Sequence, residues 1–105
     1  MSPRLIEALE ALRIIVNFPL IVTSGYRCHN HPSERIKNAP GPHCGGVAVD
    51  LSVNGERALE LLTAALAMGI FTGVGIQQKG VGRFIHLDIA ETHEFGGPRP
   101  TIWSY

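Results

Sequence analysis

Residues 3–16, PRLIEALEALRIIV, place Leu5, Leu9, Leu12 and Val16 at helical spacing. Ser2 suits the N-cap, Pro3 the first helical position, and Asn17 with Pro19 ends the segment. LIVTS (20–24) is a short β-branched run and reads as a strand. From Gly25 to Gly46 the chain is rich in Gly, Pro, Asn and His and shows little periodicity; a connection that long in a small domain is usually functional. VAVDLSV (47–53) reads as a second strand. GERALELLTAALAMG (55–69) reads as a helix with Asn54 as its cap, Gly69 at its end and an apolar stripe of Leu59, Leu62 and Leu66. GVGIQQ (73–78) and RFIHLDIA (83–90) are two more strands, joined by a hairpin turn at 79–82. The tail from Glu91 to Tyr105 reads as irregular. The order helix, strand, loop, strand, helix, strand, strand predicts an α+β domain, with helices packed on a mainly antiparallel sheet of about four strands.

The length, 105 residues, fits one domain spanning 1–105 and leaves only a modest margin of stability. Nine basic and nine acidic residues cancel, so nothing electrostatic points to nucleic acid or an anionic membrane as partner. No apolar run reaches the 18 residues or so of a membrane span. Ser2-Pro3-Arg4 leads straight into a helical pattern that does not resemble a secretory leader. A monomer is expected. Cys28 and Cys44 can form one disulfide or stay thiols, and the lack of a leader favours thiols. As metal ligands they lack the close paired spacing of a structural zinc motif.

Strand periodicity brings the candidate chemistry together. His86 and Asp88 share one face of their strand, while Ile85, Leu87 and Ile89 take the core face. Asp50 shares a face with small Ala48, which leaves room beside it. His43, beyond the Gly45-Gly46 pair, can fold back toward Asp50. Two imidazoles and a carboxylate (His43, Asp50, His86) suit Zn²⁺ with a fourth position open. Asp88 can then serve as general base for an attacking water, or orient His86. A histidine in a small domain is more often a surface or satisfied core residue than a ligand. His29, His31 and His93 are read that way. Arg27, opening the long loop, suits two-point recognition of a carboxylate, with a solvated loop charge as the plainer reading.

In combination these motifs resemble the M15-type zinc peptidases, the D-alanyl-D-alanine carboxypeptidase and murein endopeptidase group that shares a fold with the Hedgehog signalling domain. The resemblance rests on Ser24-Gly25-Tyr26-Arg27, on His43-x-x-Gly46-x-Ala48-x-Asp50, on Phe84-Ile85-His86-Leu87-Asp88, and on Arg99 with Trp103. It implies zinc held by His43, Asp50 and His86, a substrate carboxylate held by Arg27, and hydrolysis of peptide bonds in peptidoglycan stem peptides or cross-links. Two departures stand out. Arg83 occupies the position, three before His86, where several members carry an acidic base, and Gly41 stands where Ser is common. Asp88 is therefore the expected base or orienting residue, with Glu91, His93 and Glu94 as fallback acids. The small size resembles phage-encoded members, which implies a protein of the host cytoplasm or of a virion acting on the cell wall. The alternative is a non-catalytic zinc-containing binding domain, for example a phage tail component.

Overall fold

The computed structural model describes residues 2–24, 46–91 and 98–105. Helix α1 (Pro3–Val16) starts as its sequence dictates: the Ser2 hydroxyl accepts from the Leu5 amide at 3.1 Å, and Pro3 occupies the first turn. It ends where Asn17 takes a left-handed conformation (φ 58°) and donates its amide to the Arg13 carbonyl. Its buried face is Leu5, Ala8 and Leu12.

Strands β1 (Val22–Ser24), β2 (Ala48–Ser52), β3 (Gly73–Gln77), β4 (Phe84–Asp88) and β5 (Thr101–Ser104) form one sheet in the order β1-β2-β4-β3-β5. Neighbours are antiparallel except β3 and β5, which are parallel. The α+β class is as expected. The count of about four strands is not, because part of the tail that reads as irregular is β5. Pro98 and Pro100 precede only four strand residues, and the partner strand β3 is distant in sequence, so no local pattern announces the pairing. Backbone bonds from Thr101 to the Thr72 carbonyl and from Tyr105 to the Ile76 carbonyl fix its two ends.

Helix α2 (Gly55–Met68) corrects a second expectation. Its buried residues are Ala58, Leu61, Ala64 and Ala65, whereas Leu59 and Leu66 are exposed and Leu62 is only partly buried. Both sets have helical spacing, offset by one residue. We attribute the choice to the alanines, whose short side chains let the helix axis approach α1 and the sheet closely. Asn54 occupies the N-cap position, but its side chain makes no capping hydrogen bond.

The helices cover one sheet face. Val49, Leu51, Val74, Ile85 and Leu87 from the strands, with Val53 and Ile89 just past β2 and β4, meet Leu5, Leu12, Leu61 and Ala65 there. By strand alternation, the opposite face of β2, β4 and β3 carries Ala48, Asp50, His86, Asp88, Gly73 and Gly75.

Candidate active site

Register aligns the polar face residue by residue. Asp50 lies directly opposite His86, and His86 directly opposite Gly75, which in turn pairs with Trp103. One row over, Ala48, Asp88, Gly73 and Thr101 are aligned in the same way. Directly opposed residues on one face come within contact distance, so the pairing brings Asp50 to the imidazole, while Asp88, two residues along β4, reaches it on the same face.

His86 lies between them. Its Nδ1 is 3.0 Å from Asp50 Oδ1 and its Nε2 is 2.7 Å from Asp88 Oδ2. His86 is 3% exposed and Asp88 fully buried, whereas Asp50 is half-buried and faces outward. The sequence leads one to expect a half-buried strand with a polar outer face. That face is instead closed over by the chain's last residues. Arg99 donates from Nε to Asp88 Oδ1 at 3.0 Å and from Nη2 to Asp88 Oδ2 at 3.1 Å. The Ala90 amide adds a second donor to Oδ1 at 3.2 Å. Trp103 packs its ring 5.0 Å from that of His86, and the Arg99 guanidinium lies 5.5 Å from the Trp103 ring centroid.

Two glycines make this closure possible. A Cβ on Gly73 would come within 2.3 Å of the Asp88 carboxylate, and one on Gly75 within 2.6 Å of the Trp103 indole nitrogen. Both lie on the polar face of β3, where any side chain would displace what now sits above. The signal was present in the sequence: Gly-x-Gly inside a strand marks a place of close approach.

The electrostatics follow from the contacts. Burial alone would raise the Asp88 pKa, but hydrogen bonds from His86 and Arg99 outweigh it and hold the carboxyl at about 2. Burial works against a charged His86, yet its hydrogen bonds to Asp50 and Asp88 raise its pKa above the usual value. The charged form of the ring is therefore favoured where it bridges the two carboxylates.

Of the residues expected from sequence, Asp50, His86 and Asp88 are brought together. His43 and Arg27 lie outside the described residues, as do Cys28, Cys44, His29, His31, His93 and Glu94. Among the described residues no three His, Cys, Asp or Glu side chains form a complete metal-binding group. Arg83 is exposed and donates from Nε to the Gly80 carbonyl at 2.9 Å. Glu91, just past β4, is exposed. A surface groove of about 560 Å³ between α1 and α2, lined by Ile15, Val16, Leu59 and Ala64 among others, is remote from this chemistry.

The family model described as Peptidase M15 matches residues 1–88, which covers both strands that carry the triad. The chain belongs to the Peptidase M15 family. Membership makes peptidase the class of activity, and it agrees with the motifs on β2 and β4. Arg99, Trp103 and β5 lie beyond the matched span. Searches of curated proteins and of solved structures return no match.

Proposed function

We propose that this M15 peptidase is zinc-dependent and hydrolyses peptide bonds in bacterial peptidoglycan, in stem peptides or cross-links. The observation that carries the zinc reading is the pairing of Asp50 Oδ1 with His86 Nδ1 at 3.0 Å on the outward side of the cluster. A tetrahedral zinc with bonds of about 2.1 Å separates two of its ligand atoms by about 3.4 Å, so a modest parting of this pair, with loss of the shared proton, fits the ion. The nitrogen and oxygen donors suit zinc as well. His43, on the motif that precedes β2, would be the third ligand.

Zinc held there would supply a Lewis acid that polarises the scissile carbonyl and makes water nucleophilic near neutral pH. The protein's own groups do the rest. Asp88 accepts from His86 Nε2, the arrangement in which a carboxylate orients an imidazole whose other nitrogen, here Nδ1 beside Asp50, would bind the ion. Four donors already occupy its two oxygens, which makes orientation, and not proton abstraction, the role its surroundings support. The base then falls to the acids of 91–94, of which Glu91 is exposed just past β4. Arg27 would grip a carboxylate of the substrate peptide. The protein would work as a monomer, on the wall of a lysing host cell or from a virion.

A second reading has one observation in its favour. With Arg83 where relatives of this type carry an acid, and with Asp88 fully engaged, the domain could bind wall peptides without cutting them. Mass spectrometry of wall fragments incubated with zinc-loaded protein separates the two. Hydrolysis adds one water at a defined peptide bond, and the gain is absent with His86→Ala. Fragments left intact but retained by the protein would establish the binding domain instead.

A further inference from the structure

We propose that Arg99 is a positioning residue for the zinc-binding imidazole, acting through Asp88 from a segment beyond the family-matched span. The geometry is a two-point clamp: Nε and Nη2 of one guanidinium reach the two oxygens of one carboxylate at 3.0 and 3.1 Å. Such a fork fixes the plane of the carboxylate as well as its charge. Asp88 in turn takes the hydrogen of His86 Nε2, so once the Nδ1 proton shared with Asp50 is lost, the ring keeps the tautomer whose Nδ1 can ligate zinc. Arg99 is itself restrained. Its Nη1 donates to the Pro98 carbonyl at 3.0 Å, its guanidinium lies against Trp103, and Trp103 is carried by β5 paired to β3. The chain therefore runs from the β5 edge, through Arg99 and Asp88, to the ring that meets the metal. An arginine in this place also explains how a fully buried carboxylate is tolerated, since burying a charge without a partner is costly.

The consequence for metal binding rests on the zinc reading above, and the experiment keeps the two apart. Zinc affinity is measured by competition with a chelator for the wild type, Arg99→Gln, Arg99→Lys, Asp88→Asn and the Arg99→Gln/Asp88→Asn double variant. The His86 ring tautomer is read by nitrogen NMR on metal-free protein in alkaline solution, assigned through His86→Gln. Arg99→Gln is expected to lose about 10–100-fold in zinc affinity and to populate both tautomers. Arg99→Lys, which keeps the charge but not the fork, should recover part of each. In the double variant the Arg99 change should add little to the Asp88 change, because both act along one path. A single Nε2–H tautomer and wild-type zinc affinity in folded Arg99→Gln would overturn the proposal, as would full additivity in the double variant. Failure of the wild type to bind zinc would remove the zinc reading alone, and the tautomer comparison would still decide the role of Arg99. Should Arg99→Gln not fold, Arg99→Lys carries the same comparison.

Discussion

Asp50 and His86 face each other across β2 and β4, with Oδ1 and Nδ1 3.0 Å apart, in a register fixed by five consecutive residue pairs. Because that register is backbone-determined, removing either side chain should leave the sheet intact and remove one ligand atom. His86→Ala and Asp50→Ala are each expected to lose stoichiometric zinc and all hydrolysis while keeping a folded far-ultraviolet spectrum. Elemental analysis of the purified variants checks this.

The two glycines of β3 differ in what lies above them. Asp88, over Gly73, is buried and held by four donors, so it cannot move aside cheaply; Trp103, over Gly75, is a half-buried ring on an edge strand. Gly73→Ala should destabilise by about 1–3 kcal/mol, the range for overpacking a filled site. Gly75→Ala should cost less and should instead change the fluorescence of Trp103, the single tryptophan of the chain. Denaturant melts with that emission as the probe compare the two.

Helix α2 offers a test of which face packs. Leu61 is fully buried and Leu59 is 66% exposed. Leu61→Ala should cost about 2–5 kcal/mol, and Leu59→Ala no more than about 0.5 kcal/mol, by equilibrium unfolding. Equal losses would mean that the leucine stripe is the packed face after all.

The pH dependence of metal-free protein follows from the two shifted groups. Asp88 titrates at about 2 in the fold against an ordinary 3.8, so its contribution, of the order of 2 kcal/mol, is present above pH 3.8 and lost as pH falls through about 2. His86 is raised above 6.5, so its contribution is complete below that value and fades as pH rises through its raised pKa. Chelator-treated protein should thus be most stable between these limits. Zinc should reverse the alkaline loss, since the ion takes the place of the Nδ1 proton. Thermal melts across pH, with and without zinc, measure both arms.

Much of this arrangement is legible in the chain. Period-two alternation in FIHLD puts His86 and Asp88 on one face and Ile85 and Leu87 on the other, and α1 carries its own caps. Which strands would be neighbours is not legible: the opposition of Asp50 and His86 depends on β2 pairing with β4 and not with the sequence-adjacent β3. The Leu59 stripe misleads because helical spacing alone cannot tell a large apolar face from a small one, and the alanines win by allowing close approach. Arg99 and Trp103 could be matched as a pair, but their role depends on a parallel strand that no local pattern predicts. His43 and Arg27 are named by their motifs and lie outside the described residues.

The account turns on metal-dependent cleavage of the cell wall, and the most direct measurement is the release of new amino groups from purified peptidoglycan with and without a chelator. It predicts steady release by the wild-type protein, abolition by the chelator, recovery on adding zinc, and none with His86→Ala. Release that continues unchanged in the chelator, or its absence on every wall type with zinc supplied, would contradict it.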